Sequence, residues 1–195
     1  MNAIQLSRKD ALVVVNIQND FLPGGSLAVP NGDEIIPVLN RYIELFVSRN
    51  LPIYATRDWH PADHCSFKAQ GGTWPPHCIV GTWGAQFAPE LALPESAMIV
   101  SKATARAPDA YSGFEETDLA LWLNSQGMER LFIGGLSTDY CVLNTVTDAL
   151  ALNFKVVLLT DAIRAVNVYP EDGQAAVAEM VRRGAVPISL SDIKS

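Results

Sequence analysis

An α/β fold is what this sequence predicts: one domain built on a six-stranded, mainly parallel sheet with helices on both faces. Three observations carry that prediction. Short apolar runs rich in β-branched residues alternate with longer segments whose apolar residues recur at helical spacing, the rhythm of βαβ units. The first such run lacks the polar-apolar alternation of a strand with one wet face, as a strand buried on both faces should. Asn16, Asp58, Lys102 and the segment ending at Cys141 fall just past the ends of different runs, and in a parallel sheet that edge is where ligands bind. With 195 residues, 49% of them hydrophobic, the chain can bury a substantial core, and a single domain over 1–195 is expected.

Taken in order, Ala-Leu-Val-Val-Val at 11–15 reads as the first strand and ends at Asn16. A turn-rich stretch, Gln-Asn-Asp-Phe-Leu-Pro-Gly-Gly, precedes an amphipathic helix over 33–50. A second strand over 51–56 delivers the chain into the loop that contains every histidine. A third strand is expected over 97–100 and a helix over 115–126. The fourth strand, 130–136, meets Gly134-Gly135, and a helix over 139–153 follows it. The last elements are a strand over 155–160, a helix over 170–183 and a strand over 185–190. Pro170 suits the first turn of that last helix, and Gly184 suits its C-terminal cap. No internal repeat, low-complexity tract or long linker interrupts the pattern.

The net charge is −7 and the basic residues form no cluster longer than a pair such as Arg182-Arg183, so nucleic acid and anionic membrane surfaces are poor partners. A small neutral or cationic molecule remains compatible, and a homo-oligomer is left open. The opening Met-Asn-Ala-Ile-Gln-Leu-Ser-Arg-Lys-Asp lacks the charged start and apolar run of a signal peptide, and no apolar segment is long enough to span a bilayer. A cytoplasmic protein is therefore expected. Three cysteines, Cys65, Cys78 and Cys141, argue against a disulfide framework and leave each as a thiol, a ligand or a nucleophile.

The chemistry concentrates in two places. His60, His64 and His77 are the only histidines, and they share residues 56–78 with Asp58 and Asp63; imidazole and carboxylate are common ligands of a divalent transition ion. Cys65 and Cys78 adjoin these positions and could in principle complete a closed structural zinc site. Far along the chain, Cys141 lies in the first turn of a predicted helix, where unpaired N–H groups and the helix dipole favour a thiolate. Lys102 ends an apolar strand, and an ammonium near that sulfur would lower the thiol pKa.

The motifs resemble those of a known family. Val-Asn-Ile-Gln-Asn-Asp-Phe-Leu-Pro-Gly-Gly from Val15, Arg-Asp-Trp-His-Pro from Arg57, Trp-Pro-Pro-His-Cys from Trp74, Ser101-Lys102, and Gly-Gly-Leu-Ser-Thr-Asp-Tyr-Cys from Gly134 are similar to those of the isochorismatase-like cysteine hydrolases, specifically the nicotinamidases. The resemblance runs over nearly the whole chain. It implies an amidase that converts nicotinamide, or a pyrazinamide-type analogue, to the acid and ammonia through a thioester on Cys141, with Lys102 in the catalytic triad. It implies one divalent ion, zinc foremost with iron or manganese as alternatives, held by Asp58, His60 and His77, with His64 as an added ligand in some members. Phe21, Leu27, Trp74, Tyr111 and Tyr140 match the walls of the ring pocket. The N–H groups of Ser137 and Cys141 match the oxyanion donors, and the peptide between Leu136 and Ser137 matches a cis bond.

One position departs from the family. The third triad residue is an aspartate that takes the thiol proton, and here Asn16 stands in its place. A neutral amide has no lone pair basic enough for that transfer, so severely reduced turnover is expected. Two origins compete: an introduced substitution in an otherwise complete enzyme, which the intact remainder of the apparatus favours, or a natural ligand-binding relative. Hydrolysis of another small amide or a vinyl ether is the competing enzymatic reading; the resemblance implies that the metal holds the pyridine ring nitrogen, directly or through water, and that other chemistry has no use for such an anchor.

Overall fold

The first apolar run becomes β1 (Asp10–Val15), buried along its whole length. Its residues divide by parity: Leu12 and Val14 pack on one face of the sheet, Ala11, Val13 and Val15 on the other. In this computed structural model residues 4 to 194 are described, so the expected domain limits at 1 and 195 lie outside the described residues.

Five further strands join β1: β2 (Ile53–Asp58), β3 (Met98–Lys102), β4 (Arg130–Leu136), β5 (Lys155–Arg164) and β6 (Val186–Ile188). Among the described residues they form one sheet in the order β3-β2-β1-β4-β5-β6, and every pairing is parallel. Helix α1 (Ile36–Ser48) covers one face through Leu39, Tyr42, Ile43 and Phe46. The opposite face packs against α2 (Leu119–Ser125), α3 (Leu143–Ala151) and α4 (Asp172–Arg182) through Leu119, Leu123, Val146, Ala149 and Met180. This is the expected α/β class. No helix of the described residues is long and apolar enough to cross a membrane.

Several boundaries differ from the expected ones, each for a local reason. The helix expected from 33 begins as a 3-10 turn, Gly32–Ile35, and becomes α-helical only at Ile36. The helix expected from 115 starts at Leu119, because Glu116 adopts a left-handed φ of 54° and the Glu115 carboxylate turns back to accept from the N–H groups of Tyr111 and Ser112. The helix expected from 139 is preceded by a π-helical turn, Thr138–Val142, and Cys141 sits within that turn. Pro170 lies ahead of α4 rather than in it, since Glu171 is left-handed at φ 74°. Gly184 does cap α4, at φ 116°, its N–H donating to the Val181 carbonyl.

Two shifts matter for chemistry. β2 and β3 each run two residues further than expected, so Asp58 and Lys102 are the last residues of their strands and pair across the ladder. The order of strands reverses on either side of β1, which places the ends of β1 and β4 at the sheet's topological switch point. There the backbones approach closely: a Cβ on Gly135 would lie 2.1 Å from the Val15 carbonyl oxygen. Asn16 follows one strand and Cys141 the other.

Candidate active site

Strand ends deliver the polar side chains into a buried cluster. Lys102 is 1% exposed, and its ammonium pairs with the Asp58 carboxylate, donates to the Ala110 carbonyl at 2.9 Å and reaches Cys141 Sγ at 3.6 Å. Burial alone would lower the Lys102 pKa; the charge of Asp58 and the neighbouring Cys141 reverse that, and the net direction is upward. Burial likewise opposes ionisation of Asp58, yet Lys102, His60 and His77 hold its pKa below the ordinary value. The pair is thus an ammonium and a carboxylate, each compensating the other.

Cys141 corrects an expectation. A thiol favoured as thiolate was expected from the helix start and Lys102, but burial pushes it up to about 12, with Lys102 offsetting only part. The physical reason is that the Lys102 charge is already committed to Asp58, whose own charge opposes a thiolate nearby. The sulfur also accepts from Asn16 Nδ2 at 3.4 Å, and Asn16 Oδ1 accepts from Thr56 Oγ1 at 2.8 Å. Thr56 therefore orients the amide so that it presents a donor, not an acceptor, to the sulfur. Around the π-helical turn, the Tyr140 and Val142 N–H groups both donate to the Ser137 carbonyl. The peptide between Leu136 and Ser137 is cis.

Asp58, His60 and His77 form the candidate metal group, with one ligand atom from each lying within 4.8 Å of the others. The donor set fits a divalent transition ion. The Nδ1 atoms of His60 and His77 face the carbonyls of Ala103 at 3.1 Å and Pro75 at 2.8 Å, which places a proton on Nδ1 and leaves each Nε2 lone pair for a ligand. Burial lowers the His60 pKa to about 4, so that ring is neutral at pH 7. His64 stacks on His60 with ring centroids 4.0 Å apart, and its buried Nε2 has no hydrogen-bond partner among the described residues, with Asp109 Oδ1 4.0 Å away; it stands outside the three-residue group. Asp63 is exposed and pairs with Arg106 at 3.5 Å, and Cys65 and Cys78 remain free thiols outside the group, so the closed structural site is not assembled. His77→Ala removes one of the three ligand atoms; zinc affinity, measured by competition with a chromophoric chelator, should fall by more than the roughly 10- to 100-fold that losing a supporting group costs.

A small cavity lies against these groups, lined by Phe21, Leu27, Asp58, Trp74, His77 and Tyr111 with Ser137, Tyr140 and Cys141. Trp74 donates from its indole N–H to Tyr111 Oη at 3.0 Å and meets Tyr140 edge-on at 5.1 Å between centroids. The five residues expected to wall the pocket, together with Ser137, thus share one cavity. Sequence reasoning missed Val29 and Val166, which also line it, and Thr56, which orients Asn16. It missed Phe67 too, whose buried ring lies 5.5 to 5.7 Å from those of His60, His64 and His77 and backs all three. An apolar residue inside an otherwise polar loop was the available signal for Phe67; Thr56, Val29 and Val166 carry none.

A model of the isochorismatase domain matches residues 10–192. A nicotinamidase of Escherichia coli (strain K12) is 40% identical over 203 residues, covering 93% of this chain and 95% of that protein. The crystal structure of the pyrazinamidase of Pyrococcus horikoshii in complex with zinc has a TM-score of 0.90 at 49% identity, covering 93% of this chain and 99% of that one. A crystal structure from L. infantum in complex with nicotinate has a TM-score of 0.89 at 36% identity and covers 98% of each chain.

Proposed function

The chain belongs to the isochorismatase family, and from that premise we propose that it is a metal-dependent amidase taking nicotinamide to nicotinate and ammonia, with pyrazinamide-type analogues as further substrates. One observation carries the reading: a thiol, two groups of the candidate metal cluster and a set of aromatic rings line the same small cavity. The zinc complex of the Pyrococcus relative and the nicotinate complex from L. infantum support a divalent ion and a planar heteroaromatic ligand.

In this reading Phe21, Trp74, Tyr111 and Tyr140 enclose a flat ring while excluding water. A divalent ion held by Asp58, His60 and His77 would supply a Lewis-acid anchor for the ring nitrogen. The carboxamide then faces Cys141. Its sulfur attacks the carbonyl carbon to give a tetrahedral oxyanion with a new S–C bond, the C–N bond then breaks as the carbonyl reforms, and the thiol proton leaves with the amine as ammonia. Water cleaves the thioester, returns a proton to the sulfur and yields the acid. The N–H groups of Ser137 and Cys141 would hold the oxyanion in both steps, where one donor is typically worth about 3 to 4 kcal/mol. Lys102 stabilises negative charge on Sγ from 3.6 Å.

Asn16 leaves that scheme without a proton acceptor at the sulfur, so turnover should be slow while ligand binding persists. It is the one feature that favours a second reading, a nicotinamide-binding relative without turnover. The test is calorimetric titration of nicotinamide into metal-free and zinc-loaded protein, paired with an ammonia assay. The proposal expects zinc to strengthen nicotinamide binding and a chelator to remove both that gain and the residual ammonia release. Zinc that binds without changing nicotinamide affinity would count against the pocket reading.

A further inference from the structure

The residues between Asn16 and Asp20 leave the sheet, and Gln18 among them is buried completely. No step above uses it. Its side-chain amide nevertheless makes three hydrogen bonds, all to main chain: Oε1 accepts from the Asp58 N–H at 2.8 Å, and Nε2 donates to the Asp58 carbonyl at 2.8 Å and to the Ala85 carbonyl at 2.9 Å. Two of the three therefore grip the same residue.

The position of this grip explains its form. β1 and β2 pair up to Val15 and Thr56, and the last rung is the Asn16 N–H donating to the Thr56 carbonyl. At Asn16 the backbone turns away with φ 51°. The next rung on that side belongs to the N–H and carbonyl of Asp58, and β1 has no backbone left to offer them. The Gln18 amide, with one donor and one acceptor on a planar group like a peptide, supplies the missing rung. On its other side Asp58 pairs with Lys102 of β3. The residue is thus held from both edges, and its carboxylate is the one group shared by Lys102 and the candidate metal cluster.

We propose that Gln18 is a positioning residue, a side-chain surrogate for a strand that fixes Asp58 so that one carboxylate serves both Lys102 and the metal. The inference rests on the metal reading of Asp58, His60 and His77. Supporting groups around metal ligands commonly govern affinity by about 10- to 100-fold, and this one acts through the ligand's backbone rather than its side chain.

The test compares Gln18→Met, which keeps the volume and removes all three hydrogen bonds, with Gln18→Glu, which keeps the acceptor for the Asp58 N–H but turns an oxygen toward two carbonyls. Asp10→Asn serves as the control, because Asp10 is an equally buried clamp, bonded to Ser7 and Arg130, at the opposite end of β1. Zinc affinity is read by chelator competition and stability by thermal unfolding. The Gln18 variants should lose about 10- to 100-fold in zinc affinity, whereas Asp10→Asn should lose stability with zinc affinity unchanged. Unchanged affinity in both Gln18 variants, or an equal loss in Asp10→Asn, overturns the proposal. A parent protein that binds no zinc overturns the metal reading instead, and the crystal structure of Gln18→Met then decides the clamp. Separation of the Asp58 carboxylate from Lys102 upholds it, and an undisturbed pair overturns it.

Discussion

Asn16→Asp should raise ammonia release from nicotinamide by about 10²- to 10⁴-fold, the usual contribution of a positioned general base. Burial holds the Cys141 thiol up to about 12, so near neutral pH it carries its proton, and among the described residues the side-chain groups bonded to it are two donors, Lys102 Nζ and Asn16 Nδ2. Neither can accept that proton. A carboxylate in place of the amide would keep the hydrogen bond from Thr56 Oγ1 on one oxygen and direct the other at Sγ, where it can take the proton and later activate water. The measurement is steady-state ammonia release by both forms under zinc saturation, with nicotinamide affinity measured in parallel. The effect should fall on kcat. An aspartate form as inert as its parent would sink the assignment of this position as the missing base.

Cys141→Ala, made in the Asn16→Asp background, should abolish release altogether and prevent any acyl adduct on the protein, as observed by mass spectrometry. Zinc and nicotinamide should still bind. The separation follows from the geometry: removing Sγ costs Lys102 one contact but leaves its pairing with Asp58 and its bond to the Ala110 carbonyl, and His60 and His77 keep their own main-chain partners. The neighbouring rings, Trp74, Tyr111 and Tyr140, also keep their mutual contacts. Release persisting in the alanine form would place the nucleophile elsewhere, and loss of zinc would show that the sulfur belongs to the metal site.

These two substitutions test the bond-breaking side of the site, and His77→Ala tests the anchoring side. The family resemblance implied that the two sides were separate, with the metal loop holding the ring and Cys141 with Lys102 doing the chemistry. The tertiary structure joins them through one carboxylate. Asp58 belongs to the candidate ligand group and also pairs with Lys102, so a change at Asp58 cannot be confined to binding or to turnover.

Much of the fold was legible because its signals are local. Apolar β-branched runs mark strands wherever both faces are covered, and the helical period marks α1, α3 and α4. Errors clustered where a side chain competes with the helix for backbone groups, as Glu115 does, or where a residue turns left-handed, as Glu116 and Glu171 do. Local apolar periodicity has no mark for either event. The same holds for the π-helical turn around Cys141, which presents helical spacing in sequence yet a wider helix in space.

The candidate site divides along the same line. The reactive groups could be read along the chain: three imidazoles and a carboxylate in one loop, a cysteine behind Gly-Gly-Leu-Ser-Thr-Asp-Tyr, a lysine closing an apolar strand and, through the family resemblance, an amide where a base was expected. Their contacts with one another were set by the fold. Asn16 meets Cys141 across 125 residues, Lys102 meets Asp58 across 44 and Gln18 meets Asp58 across 40. Those distances are set by strand order and register, which are global properties of the sheet. A short-range pattern can supply a reactive group, but its protonation and its partner depend on burial and on charges brought from elsewhere in the chain.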